Sequence, residues 1–467
     1  MIVLLALVAA AGGGYFWRSS GRNQIARSAT ALAPDLQGVH PELIERVQAA
    51  RDQIKRGDQP VEALATLTRL YYANGWFAPA ARTCAALVEI EPRNPQWSYI
   101  LALLRANGGQ LDEALPLLQR TITQAPDYLP ARLKAAAAMT KLNQAEAAIV
   151  MEKTILEKEP ANIYAWVGLG NIYLAQKKWD LARDCFQKAV SFSDQVRSAW
   201  LGLVAVHEAT GNNNAATEAK AHVDEVSRSP DSPDPWIDSL MEECYNVYYL
   251  RVAAYSNPDL GFARRLLERA VLLQPKDAAA HRDFGMLLFR AQAFAEARRQ
   301  LDLATSLAPA DSENWLSLIT FLRAVRDEGG IGEAIRNGLA NCPSSAGLWL
   351  ERGRMLNRAH AFDEAFAAFA KAVEFGPKDA SPHVESAVAY FQLDQAEKAL
   401  FELKAALALQ PNHPFALVLM ARYAIVIGDK PNASFYYEKA RRNPKVLPED
   451  MQQLSAAFEA AFGPVSH

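Results

Sequence analysis

Cysteine is scarce in this chain. The four present, Cys84, Cys185, Cys244 and Cys342, lie far apart, and no C-x-x-C pair occurs. That spacing argues against a disulfide framework or a zinc site and reads as unpaired small hydrophobes. A basic excess is missing too. The formal net charge is -3 at pH 7, so nucleic acid is not an expected partner. Phosphate loops of the G-x-x-x-x-G-K-[ST] type, H-E-x-x-H and G-x-S-x-G are all absent. The eight histidines are scattered. His281 and His383 read as packed or rim side chains and not as metal ligands. No catalytic, cofactor-binding or metal-ligating residue is assigned, and no enzyme activity is expected.

Charge is also absent from Ile2 to Trp17, where Leu, Val, Ala and Gly dominate. As a helix this run would reach about 24 Å, somewhat short of a ~30 Å hydrocarbon core. Tyr15, Phe16 and Trp17 close it with interface-seeking aromatics, and Arg18, Arg22 and Arg27 follow. Residues 1–17 are therefore expected to be a membrane anchor with the rest of the chain cytoplasmic. The alternative is a cleaved signal peptide, leaving the chain periplasmic or secreted; Ala9-Ala10-Ala11 resembles a cleavage site, although a positive n-region is lacking.

What the chain does have is a beat. Its 467 residues are too many for one ordinary core, so it must divide or repeat. Prolines fall at 92, 126 and 160 and again at 275, 309, 343, 377 and 411, always 34 residues apart within a series. Trp166 and Trp200, then Trp315 and Trp349, keep the same period. Eleven repeats result, starting at Val61, Pro95, Leu129, Ile163, Arg197, Cys244, Ala278, Ser312, Ala346, Ala380 and Pro414. The twentieth position is Ala in ten of the eleven, with Ile331 the exception.

Such a repeat encodes two helices joined by a short turn, as at Asn107-Gly108-Gly109 and Gly211-Asn212. Small residues at positions eight and twenty, such as Gly170 with Ala182, let the paired helices approach closely. The proline ends the second helix, and Asn94, Asn162, Asp277, Asp311, Ser345 and Asp379 stand ready to N-cap the next. Glu152 in the third repeat occupies a position that calls for a large apolar side chain.

One repeat reads Trp166, Leu169, Gly170, Tyr173, Ala182, Phe186, Ala189; another reads Trp349, Gly353, Leu356, Ala365, Phe369, Ala372, Pro377. These series resemble the tetratricopeptide-repeat (TPR) family over residues 61–447, in its bacterial membrane-anchored form. The resemblance implies an all-α fold, a superhelical solenoid of antiparallel helix pairs that binds other proteins. Outside the array, residues 18–40 read as a linker and 41–60 as an N-terminal capping helix. Repeats one to five occupy 61–230 and repeats six to eleven 244–447. Between them, residues 231–243 form an acidic insertion, either a hinge or a local detour over the surface. Residues 448–467 read as a C-terminal capping helix and tail, the cover a solenoid needs. The anchor-plus-repeats layout also resembles the bacterial lipopolysaccharide assembly protein B family. That family ends in a metal module with paired C-x-x-C motifs, which this chain lacks, so its function is not carried over. Only some 20 residues follow the last repeat, so the catalytic domain of fused TPR sugar transferases is not expected.

In the family the first helix of each repeat lines a groove, with positions two, five, nine, twelve and thirteen facing inward. Those positions present Tyr245, Tyr248 and Tyr255 in the sixth repeat and Arg282, Arg290, Arg323, Arg354 and Arg358 in the next three. Tyrosine offers a rigid amphipathic surface and arginine a planar fork for carboxylates. The expected partner is a protein or peptide, acidic or with a free C-terminus. The expected role is a membrane-tethered scaffold for assembly of a complex; the rivals are an accessory or regulatory subunit of an envelope polysaccharide or secretion machinery, and a divergent enzyme.

Overall fold

A computed structural model describes residues 21–226, 232–443 and 445–463. It divides into two compact units, 1–275 and 276–467. Among the described residues every regular element is helical.

In unit 1, residues 21–29 are helical and α1 (Pro41–Arg56) follows. Five helical pairs come next: α2 (Pro60–Ala73) with α3 (Phe77–Ile90), α4 (Pro95–Asn107) with α5 (Leu111–Gln124), α6 (Leu129–Lys141) with α7 (Ala145–Lys158), α8 (Ile163–Ala175) with α9 (Trp179–Phe192), and α10 (Arg197–Ala209) with α11 (Asn213–Glu225). A short α12 (Pro235–Met241) precedes α13 (Val247–Ser256) and α14 (Leu260–Leu273). Unit 2 holds α15 (Ala278–Arg290) with α16 (Phe294–Leu307), α17 (Ser312–Ala324) with α18 (Glu328–Asn341), α19 (Ala346–Arg358) with α20 (Phe362–Phe375), α21 (Ser381–Gln392) with α22 (Ala396–Leu409), α23 (Pro414–Val426) with α24 (Lys430–Arg441), and a closing α25 (Pro448–Phe462). From α1 to α11 and from α15 to α25 each helix packs on the next, as α13 does on α14, and first helices also touch the first helix of the following repeat, as α8 does α10 and α17 does α19. A hairpin with one apolar face has no core of its own, so this neighbour contact is what buries it.

The packing explains the beat. The residue at position twenty is buried in all eleven repeats, the most exposed being Ala216 at 7%. The position-four tryptophans and the proline period are one device. The indole Nε1 of Trp166, Trp315 and Trp349 donates to the carbonyl of Pro160, Pro309 and Pro343, six residues upstream. Trp200 does the same to Asp194, which stands where the proline is missing. His281 and His383, in place of tryptophan, turn instead to their own second helices and meet Gln300 and Glu402 at 2.6 Å. Asn94, Asn162, Asp277, Asp311 and Ser345 cap first helices. Asp379 accepts the Ser381 amide, so α21 starts at Ser381 and not at Ala380.

The turns hold a feature that the glycine pattern conceals. Position fifteen is left-handed in ten repeats, in four through Gly75, Gly109, Gly211 and Gly428 and in six through Asn143, Lys177, Gln292, Arg326, His360 and Asp394, with φ between 57° and 60°. The turn demands that conformation whatever the residue, at about 1–2 kcal/mol for an ordinary side chain.

Three expectations need correction. Residues 18–40 are more than a linker: the 21–29 helix buries Ala26 fully, and Arg27 bonds the carbonyls of Ile54 and Lys55 at the end of α1. The first helix of the sixth repeat begins at Val247, because Asn246 caps it, so Cys244 and Tyr245 fall in the preceding turn. Residues 1–17, the expected anchor, lie outside the described residues. Among the described residues no helix is long and apolar enough to cross a membrane. A span needs about 20 apolar residues, and α1, with 16, carries charges along its length. The membrane-anchored, cytoplasmic localisation is therefore withdrawn.

Candidate partner-binding surfaces

The five arginines sit on successive first helices of unit 2, and most have protein partners. Arg282 Nη2 lies 3.1 Å from Asp283, and its Nη1 lies 3.6 Å from Asp311. Arg323 pairs with Glu351 on the next first helix. Arg354 bridges Glu351 at 2.9 Å and Glu385 at 2.7 Å, one residue on its own helix and the other on α21. Glu351 is largely buried, so its two guanidinium neighbours are what make its charge tolerable. Burial works against the Arg354 charge, but Glu385 and Glu351 outweigh it and hold the guanidinium above its ordinary pKa. The ladder Arg323–Glu351–Arg354–Glu385 thus ties three repeats together.

Beside Arg282, two further arginines stand outside it. Arg358 is half-exposed with Glu328 at 3.8 Å, at the edge of ion-pair distance. Arg290 is exposed, and among the described residues no carboxylate pairs with it. Exposed pairs contribute about 0–1 kcal/mol, so an incoming carboxylate competes easily for Arg358.

The three tyrosines belong to unit 1 and part company there. Tyr248 and Tyr255 are exposed. Tyr245 is buried: its hydroxyl donates to Glu42 at 2.8 Å and accepts from Arg46 at 3.2 Å, while the Arg269 guanidinium lies over its ring. It serves as an anchor of the preceding segment and offers no free surface.

That segment is the main feature which sequence reasoning missed. Residues 232–245 lie on the first-helix face of unit 1. The hydroxyls of Tyr99, on α4, and Tyr128, just before α6, both donate to the Asp234 carboxylate. Hydrogen bonds to a charged group contribute about 1.5–3 kcal/mol each. Burial, with the Asp234 charge beside it, pushes both phenol pKa values far up, so both remain donors. The Trp236 indole stacks on Tyr128 with centroids 3.6 Å apart, and Tyr99 meets it edge-on at 5.7 Å. The Trp236 amide donates to the Tyr128 hydroxyl. Leu240 is buried against the core of repeats one and two. At the far end Asn74 reads backbone: its Nδ2 donates to the Glu243 carbonyl at 3.1 Å, and its Oδ1 accepts the Tyr245 amide at 2.7 Å. Arg46 closes on the Glu243 carboxylate. Position five of the second repeat, Tyr99, was the sequence signal for this surface; nothing local pointed to the segment that covers it.

Stacked helical hairpins with such faces define a repeat scaffold of the protein-binding class. Models of the tetratricopeptide repeat match residues 66–128, 163–193, 329–380 and 380–413. Those stretches of the chain are thus tetratricopeptide repeats. No curated protein sequence matches it. Among solved structures, the chain is similar to yeast Tom70, with 16% identity over 86% of this chain and 96% of that one and a TM-score of 0.40. It is similar to PilW, described as a widely conserved type IV pilus biogenesis factor, with 24% identity over 40% and 86% and a TM-score of 0.36. YrrB, described as a TPR protein with an unusual peptide-binding site, shows 22% identity over 37% and 88% and a TM-score of 0.31. At these scores the likeness carries no argument about partners.

Proposed function

We propose that the chain is a scaffold or adaptor that holds a carboxylate-bearing protein or peptide on the arginine face of unit 2 and so serves assembly of a complex. The observation that carries this reading is the pair of exposed guanidiniums, Arg290 and Arg358, on first helices of the unit in which Arg323 and Arg354 pair with this chain's own carboxylates. In the ladder, Glu351 and Glu385 occupy two guanidiniums from within. A partner's acidic side chains or C-terminus would take the remaining forks in the same way.

Arg354 is a poor choice for the test. Reversing its charge would leave three carboxylates together around a largely buried Glu351 and cost several kcal/mol of stability. Arg290→Glu with Arg358→Glu is the cleaner variant. Against an immobilised peptide library, the native chain should select Asp- and Glu-rich peptides. The double variant should bind the selected peptides at least tenfold more weakly, with an unchanged circular-dichroism melt. Equal binding by both chains would remove the arginine face from the account.

A further inference from the structure

The first-helix face of unit 1 is covered by a segment of the chain itself. A segment built around the short α12 runs from repeat one to the start of repeat three and is contacted along its length by side chains that do not depend on its being part of the same chain. Asn74 takes a backbone carbonyl and an amide at once, using both the donor and the acceptor of its side-chain amide. Two phenols converge on one carboxylate. An aromatic slot of Tyr99 and Tyr128 takes an indole. The recognised elements are an aspartate and a tryptophan two residues later, Asp234-Pro235-Trp236, at the start of α12, where Asp234 caps the helix by accepting the Ile237 amide and Pro235 takes the first helical position.

We propose that this face is a binding site for an acidic, tryptophan-bearing peptide, occupied in cis by Asp234–Trp236 and open to a partner presenting the same Asp-x-Trp chemistry in trans. The two halves of the segment differ as such a device requires. Leu240 and Tyr245 are buried and hold one end in place, whereas Asp234 and Trp236 remain only half-buried. A tethered ligand acts at an effective concentration on the order of millimolar. The cis segment therefore lowers the apparent affinity for a partner by the fraction of time it is docked. The site uses neither Arg290 nor Arg358, so it stands or fails independently of the arginine face.

The test uses the full chain and a labelled synthetic peptide of residues 232–241, Ser-Pro-Asp-Pro-Trp-Ile-Asp-Ser-Leu-Met. Asp234→Ala with Trp236→Ala frees the face. The peptide should bind this opened chain at least tenfold more tightly than it binds the native chain. Adding Tyr99→Phe and Tyr128→Phe should weaken that binding at least tenfold. An opened, folded chain that fails to bind the peptide overturns the proposal, as does a native chain that binds it equally well. Hydrogen exchange on the native chain gives a second reading that needs no variant. Residues 235–241 should exchange through an opening that leaves α2 and α4 protected; exchange only together with those helices overturns the proposal.

Discussion

Glu152→Gln is expected to raise the melting temperature of unit 1 at pH 8 by about 5 °C or more, from a gain on the order of 2–5 kcal/mol, and to change it little at pH 4. Glu152 lies on α7 against α8, only 3% exposed. Its Oε2 has no hydrogen-bond partner among the described residues, and its carboxyl fills the space that a Cβ on Gly168 would occupy. Burial pushes its pKa up from 4.5 to about 8. The folded state therefore prefers the protonated acid more strongly than the unfolded chain does. That preference is fully present below about pH 4.5 and is lost as pH rises through about 8, so stability falls across this window. Glutamine keeps the shape without the ionisation. Melting curves of both chains at pH 4, 6 and 8 check it; a difference that does not grow with pH would show that Glu152 is not buried as an acid.

Phe186→Ala should destabilise unit 1 by about 3–5 kcal/mol. The ring is fully buried on α9 and stands between two glycines of successive first helices. A Cβ on Gly170 would fall 2.6 Å from Phe186 Cε1, and one on Gly202 only 2.4 Å from Cζ. One aromatic thus occupies the room that two absent side chains leave, which joins repeat four to repeat five. Gly202→Ala alone should cost about 1–3 kcal/mol through overpacking, but almost nothing once Phe186 is alanine. Urea unfolding of the two single variants and the double variant gives the coupling, expected at about 1 kcal/mol or more. Additive costs would mean that the ring and the glycines do not share that space.

Much of this architecture can be read in advance, because stacking imposes local demands that recur every 34 residues. Ala182 must be small, Trp166 must reach the Pro160 carbonyl, and Asn162 must cap. A one-dimensional period reports all three. The left-handed turns are harder to see. Lys177 and Arg326 take a conformation usually marked by glycine, since hairpin closure outweighs a modest backbone cost. The arginines could be placed on successive first helices in advance, but spacing alone does not choose their partners: Glu351 serves both Arg323, across the repeat boundary, and Arg354 on its own helix. Least legible is the docking of Asp234 and Trp236 on Tyr99 and Tyr128. More than a hundred residues separate the partners, and the insertion follows no period at all. The sequence left its role open between hinge and detour; its near end lies on the first-helix face of its own unit.

On the proposed reading, partners are held on first helices. Hydrogen exchange on the full chain, with and without an acidic peptide selected by it, tests this most directly. Added protection is expected in Ala278–Arg290, Ser312–Ala324 and Ala346–Arg358, with little change in Phe294–Leu307, Glu328–Asn341 and Phe362–Phe375. Protection confined to the second helices would contradict it.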